Sequence, residues 1–184
     1  MPRSPAIRAA AIVSAVLLVV IGWYLGSPLF IRTTANEPLP TAAAPSFAPA
    51  VTPDVRSVAT TTPSPTTQTS FSFRGQLQYV DALHNGKGSV AMGVTSFCCP
   101  VGDRYFLRFE DVAITNAPDV HVYLSPDRGG KWNEATSKYV GALKATNGSF
   151  NYELDPSDAG IYKSVIVWCR AFSVLVTWAD LDRV

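Results

Sequence analysis

Charge is scarce in this chain. Asp, Glu, Lys and Arg together make up 16% of its 184 residues, against roughly 25% in an average soluble protein. No run of Lys or Arg occurs, and the formal net charge is +1. A phosphate-backbone partner demands a clustered basic face, so nucleic acid is excluded as a partner. Histidine occurs only at His84 and His121, and cysteine only at Cys98, Cys99 and Cys169. The sequence has no His-Glu-x-x-His, no Gly-x-Ser-x-Gly and no phosphate loop, which disfavours a hydrolase or a nucleotide enzyme. Without Cys-x-x-Cys spacing a zinc site is not expected. Without Cys-x-x-Cys-His neither is covalently attached haem. No cysteine closely follows the N-terminal apolar run, which argues against a lipidated mature N-terminus. The acidic residues Asp103, Glu110, Asp111, Asp119 and Asp127 lack an Asp-x-Asp-x-Asp pattern. Calcium needs roughly six to eight oxygens from close loops, so these residues suit turns better than a metal.

What is present falls into three segments. Residues 1–32 carry Arg3 and Arg8, then an uncharged stretch from 9 to 31 whose centre is almost wholly Val, Leu, Ile and Ala. About 20 apolar residues span a hydrocarbon core, and this stretch has no polar face. It predicts one transmembrane helix with a cytoplasmic N-terminus, Arg32 closing the far end and Trp23-Tyr24 at the far interface. The lipid bilayer is then the first partner, and the cell membrane the location, with the remainder extracytoplasmic. A cleaved signal peptide fits the first part as well. It fits Trp23-Tyr24-Leu25 less well, because a peptidase prefers small residues there. Residues 33–70 are rich in Pro, Thr, Ala and Ser. Such a segment buries too little apolar surface to offset its chain entropy, and reads as a disordered, semi-rigid spacer.

Residues 71–184 read as an all-β domain, an antiparallel β-sandwich or barrel-like fold. Strand signals recur at 73–80, 89–94, 103–112, 119–125, 139–143, 149–154, 162–169 and 172–178, with turn signals between them. In 119–125, Val120, Val122 and Leu124 face one way and Asp119, His121 and Tyr123 the other, as in a half-buried strand. His121 is thereby expected in solvent, and His84 in an exposed turn. Asn147-Gly148 is a hairpin signal between two flanking strands. In 162–169 both faces are apolar, with Val165, Val167 and Cys169 on one and Ile166 and Trp168 on the other. That pattern belongs to a central strand. Arg170-Ala171 links it to the next strand by a tight hairpin or a bulge.

The cysteines leave several readings open. Arg170 beside Cys169 favours a thiolate there. A small buried hydrophobe is the plainer role. A disulfide from Cys169 to Cys98 or Cys99 is the third, with the remaining cysteine as a resolving thiol. Either histidine suits an axial haem position opposite a cysteine.

Residues 71–184 resemble the DM13 domain family, here in a membrane-anchored, bacterial-type single-domain arrangement. The likeness rests on Gly75, His84, Gly88 and Val90, on Leu107-Arg108-Phe109-Glu110-Asp111-Val112, and on Ala117-Pro118-Asp119-Val120 with Val122-Tyr123-Leu124-Ser125. It continues through Gly141-Ala142-Leu143-Lys144, Gly148-Ser149-Phe150-Asn151-Tyr152-Glu153-Leu154 and Tyr162-Lys163-Ser164-Val165-Ile166-Val167-Trp168-Cys169. Phe172-Ser173-Val174 and Ala179-Asp180-Leu181 close it. The resemblance implies an electron-transfer module in which a cysteine, here Cys169, acts as a bare thiol or as a ligand to a group such as haem. A redox or surface protein would be its partner. Phe97-Cys98-Cys99-Pro100 departs from that pattern. The alternative function is a non-enzymatic surface binding or adhesion domain, its cysteines forming a structural disulfide and Trp132 with Tyr139 forming the contact patch.

Overall fold

The computed structural model describes residues 5–30, 32–40, 68–97, 102–158 and 160–184. One helix, α1 (Pro5–Phe30), precedes ten strands. These are β1 (Thr34–Asn36), β2 (Gln68–Gln76), β3 (Gly86–Phe97), β4 (Gly102–Ile114), β5 (Val120–Ser125), β6 (Lys138–Ala142), β7 (Asn147–Leu154), β8 (Ser164–Cys169), β9 (Val174–Asp180) and β10 (Asp182–Arg183).

Ile12, Val13, Leu18, Val19, Val20 and Trp23 on α1 all expose more than half of their surface. The expected transmembrane span is nevertheless not met. Among the described residues, no helix is long and apolar enough to cross a membrane.

The strands form two sheets, ordered β1-β7-β4-β3-β2-β10 and β6-β5-β8-β9. Every pairing is antiparallel except β1 on β7. The two sheets stay separate, so the fold is a sandwich and not a closed barrel. Alternation explains the layering. Leu107 and Phe109 of β4 and Phe150 of β7 turn inward from one sheet, and Val122, Leu124, Val165, Val167 and Cys169 from the other. Phe109 and Phe150 stack at 5.1 Å between ring centroids, the largest pair in the core. Burying a side chain of this class stabilises by about 1.5–3 kcal/mol.

Two expectations change here. The segment read as a free linker enters the sheet at both ends, through β1 and through the first residues of β2. Residues 41–67 of that linker lie outside the described residues. Asn147-Gly148 is not a hairpin, because β6 pairs with β5 while β7 pairs with β4 and β1. Gly148 is needed for another reason. Its φ is 102°, and a Cβ there would lie 2.1 Å from the Ala35 carbonyl oxygen. Glycine allows β1 to approach β7 this closely.

Candidate functional site

Cys169 closes β8 on the inner face. It is free, with 0% exposure, and its Sγ–H donates to the Pro118 carbonyl at 2.9 Å. None of the described cavities is lined by it. The expected disulfide to Cys98 or Cys99 is therefore not formed. Both of those residues lie outside the described residues. Gly86 of β3 pairs with Ile114 of β4 at one end, and Phe97 with Gly102 at the other. From Ile114 the chain continues to Val120, which pairs with Cys169. Cys169 thus sits at the Gly86 end of β3, and Phe97 lies at the other end, a strand length of roughly 36 Å away.

The outer face of the four-stranded sheet is different in kind. His121 pairs in register with Trp168, and Tyr123 with both Ile166 and Tyr139. The loop from β5 to β6 folds back over this face. Ser125 Oγ donates to the Lys131 carbonyl at 2.8 Å, and the Gly129 amide donates to Asp180 Oδ1 at 3.0 Å. Gly130 lies flat against Trp178, where a Cβ would be 2.7 Å from Cδ1, and its φ of 70° also asks for glycine. The loop lays Trp132 on Trp168, with centroids 4.6 Å apart and planes 13° from parallel. Trp132 also meets Tyr123 edge-on at 5.9 Å, and Tyr123 meets Tyr139 at 5.5 Å. Such contacts add roughly 0.5–1.5 kcal/mol each beyond area burial.

Arg170 completes the layer. Its Cζ lies 4.6 Å from the Tyr139 centroid and 5.5 Å from that of Tyr123, and Nε donates to the Tyr123 hydroxyl at 2.5 Å. That hydrogen bond raises the pKa of Arg170 above its ordinary value. The guanidinium therefore lies over the aromatic rings on the outer face, while the Cys169 thiol belongs to the inner one.

His121 is likewise not a solvated residue. It is 8% exposed. Its Nε2 lies 2.6 Å from Asp119 Oδ1 and its Nδ1 3.2 Å from the Tyr139 hydroxyl. A carboxylate only accepts, so Nε2 carries the hydrogen, and in the neutral ring Nδ1 is the nitrogen that accepts from Tyr139. Asp119 holds a left-handed φ of 55° and its carbonyl accepts from the Arg170 amide at 3.0 Å. Tyr139 and Asp119, packed against the imidazole, withdraw His121 from water, which strand alternation alone does not reveal. His84 stands elsewhere, with Nδ1 2.9 Å from Asp81 Oδ2 in the turn between β2 and β3.

A cleft of about 500 Å³ opens on this face, lined by Tyr123, Trp132, Glu134, Tyr139, Trp168 and Arg170 among others. Among the described residues, the buried Trp132 indole N–H has no hydrogen-bond partner. The acidic residues considered for calcium are dispersed. Glu110 pairs with Arg108 and Arg74, and Asp119 with His121. Among the described residues, no three His, Cys, Asp or Glu gather as a metal site.

The model of a family described as electron transfer DM13 matches residues 78–181. The chain belongs to the DM13 family. No curated protein and no solved structure matches it. Within this DM13 domain the residues around Cys169 do not fit a haem. The sulfur is sealed in the core with its hydrogen given to Pro118, and His121 lies on the opposite face of the sheet from it. Trp168, Tyr123 and Arg170 are the site residues that sequence reasoning missed as a group. The alternation in β8 already placed Trp168 opposite Cys169. The signal for the group was the pairing of Trp132 with Tyr139, which had suggested a contact patch.

Proposed function

We propose that the domain is an electron-transfer module that moves charge through the aromatic layer on the outer face of its four-stranded sheet. Membership of the DM13 electron-transfer family supports the class of reaction. The single observation that carries the site is the unbroken run of rings from Trp168 through Trp132 and Tyr123 to Tyr139, each step under 6 Å between centroids. Electron transfer slows steeply with distance, and closely packed, oxidisable rings keep each step short. Cys169 lies directly beneath this layer, between Trp168 and Arg170 in sequence. In this reading its buried thiol packs the inner face and fixes the end of β8. Thiol exchange or haem ligation there would first require the core to open.

The test is the rate at which a photogenerated ruthenium(III) polypyridyl complex oxidises the full chain. Trp132→Leu together with Trp168→Leu should slow oxidation at least tenfold, while Cys169→Ala should leave it within twofold. The opposite pattern would return the site to the thiol.

We infer further that α1 associates the chain with a lipid bilayer and that the domain stands on the extracytoplasmic side. The support is the row of exposed apolar side chains on α1 and the basic residues Arg3 and Arg8 before it. The chain should sediment with membranes and be digested by protease added to intact cells. A protease-resistant, soluble chain would defeat both claims.

A second reading has its own observation. The cleft over Trp132 and Tyr139, walled by rings and the Arg170 guanidinium, suits a bound molecule with an apolar body and a hydrogen-bond acceptor. Here the contact patch is the functional element, without the disulfide once expected. A ligand that quenches Trp132 fluorescence without altering oxidation rates would favour it.

A further inference from the structure

We propose that Tyr139 is a redox-active tyrosine whose phenolic proton passes to His121 as its electron leaves. The proposal rests on the electron-transfer reading of the aromatic face and names the group at the end of that path. Three observations meet at Tyr139. Its hydroxyl is 3.2 Å from His121 Nδ1, the free acceptor of a ring whose Nε2–H is held by Asp119 at 2.6 Å. Its ring abuts Tyr123 at 5.5 Å, and through Tyr123 it joins Trp132 and Trp168. Its face carries the Arg170 guanidinium at 4.6 Å.

The cation decides how the oxidation proceeds. Removing an electron alone would leave a cationic ring against a permanent cation 4.6 Å from its centroid. Removing the electron together with the proton leaves a neutral phenoxyl, which Arg170 does not oppose. The proton needs an acceptor within hydrogen-bond reach, and His121 is that acceptor. The resulting imidazolium lies against the Asp119 carboxylate, which favours its charge. The charged groups around the relay are thus Asp119, Arg170, the imidazolium and Glu134 of the same cleft, with the Tyr123 hydroxyl tied to Arg170.

The step balances as follows. The Tyr139 O–H bond breaks. The proton moves to His121 Nδ1. One electron passes to a one-electron outer-sphere oxidant, such as a high-potential metal complex, which is reduced by one unit. The reverse step returns the electron to the phenoxyl and the proton from Nδ1 to the oxygen. No atom is lost, so the relay is reusable.

Tyr139 is 47% exposed, so Tyr139→Phe removes the hydroxyl while leaving the fold intact. Full-length chain is oxidised with photogenerated ruthenium(III) polypyridyl complex and frozen for electron paramagnetic resonance. The wild type should give a neutral tyrosyl signal, and Tyr139→Phe should lower its yield at least tenfold. Asp119→Asn keeps the left-handed backbone conformation and should slow radical formation several-fold. His121→Ala should do so more, with partial rescue by imidazole. Voltammetry gives a readout that packing would not move. In the wild type the proton stays on His121, so the tyrosyl potential holds level with pH while the imidazolium keeps it. In His121→Ala the proton goes to water, and the potential should fall by about 59 mV per pH unit, a tenfold change for one electron. An unchanged tyrosyl yield in Tyr139→Phe, or identical pH slopes in wild type and His121→Ala, would overturn the relay. If the Trp132 and Trp168 substitutions still slowed oxidation, the aromatic path would stand without it. Equal oxidation rates in all these variants would remove both.

Discussion

The two outer faces of the sandwich solve the same problem in opposite ways. Both sheets must cover an outer surface after giving their inner surface to the core. The six-stranded sheet does so with charge and with its own chain. Arg108 donates to Glu110 at 3.0 Å and to Asn151 at 2.9 Å, and β1 brings Glu37 across to meet Lys144 at 2.9 Å and the Asn151 amide at 2.9 Å. The four-stranded sheet does so with rings and a single loop, and leaves a cleft. A face closed by ion pairs and backbone is structural. A face closed by stacked indoles and phenols, with His121 against Tyr139 at its edge, leaves rings lining a cleft.

Trp168→Ala breaks the comparison most severely. Trp168 supports Trp132 and shields the outer side of β8, where Ile166 is wholly buried. Large-to-small changes at such positions cost about 3 kcal/mol. Urea denaturation should report that loss, and near-ultraviolet dichroism should lose the stacked-indole signal. Retention of full stability would mean that the loop from β5 to β6 does not depend on this stack.

On the other face, Gly148→Ala should cost about 2 kcal/mol through backbone strain. A Cβ there meets the Ala35 carbonyl, so β1 must lift from β7. Hydrogen exchange should quicken at Thr146 and Asn147, whose amides donate to the Thr33 carbonyl at 3.1 and 3.0 Å. The four-stranded face should not respond. An effect at Trp132 would show that the faces are coupled through the core.

These positions also show what the sequence conveys. The alternation in β5 and the two apolar faces of β8 are local, and both are visible in the spacing of Val, Ile and Leu. The sealed position of Cys169 follows from the same alternation. Other features depend on partners far along the chain. β1 contains only Thr34, Ala35 and Asn36, and its reason to exist is Asn147 to Ser149. Gly148 looks like a turn glycine because composition cannot distinguish a turn from close approach by another strand. His121 looks solvated because the Tyr139 ring that covers it belongs to another strand. Arg170 looks like a partner of Cys169 because adjacency in sequence hides the alternation of faces. The aromatic layer was legible as individual residues and illegible as a surface until β6, β5 and β8 were set side by side.

A smaller effect attends Glu37. Burial raises its pKa, but hydrogen bonds from the Asn151 amide and from Lys144 outweigh burial and hold the carboxyl below its ordinary value of 4.5. A depressed carboxyl stabilises the fold above its unfolded pKa, and that contribution is lost as pH falls through the folded pKa. β1 should therefore stay docked down to about pH 4.5 and loosen below it. Both groups are partly exposed, so solvent screening limits the loss to about 0.5–1 kcal/mol. Glu37→Gln should abolish the acid dependence of exchange at the Asn151 amide. Persistence of the same acid step in that variant would assign it to another carboxylate.

The smallest change separates the two sides of β8. Arg170→Lys preserves the charge and its place in the sequence next to Cys169. It removes the planar group over Tyr139 and the Nε–H donated to Tyr123. A lysine has one mobile charge and no fork to satisfy both rings, so it does not replace the arginine. The side chain is exposed, and exposed cation–π contacts contribute roughly 0.5–1 kcal/mol. Stability should fall by about that amount. Reaction of Cys169 with an aromatic disulfide reagent, measured in a Cys98→Ser, Cys99→Ser background, should stay as slow as global or local opening allows. It should rise only in parallel with the small loss of stability, because the thiol is reached by opening the core and not by approach from the Arg170 side. If Arg170 instead acted on the thiol, its replacement would alter the pH dependence of the reaction while opening rates stayed constant. That result would move the functional centre from the outer face of β8 to the inner one.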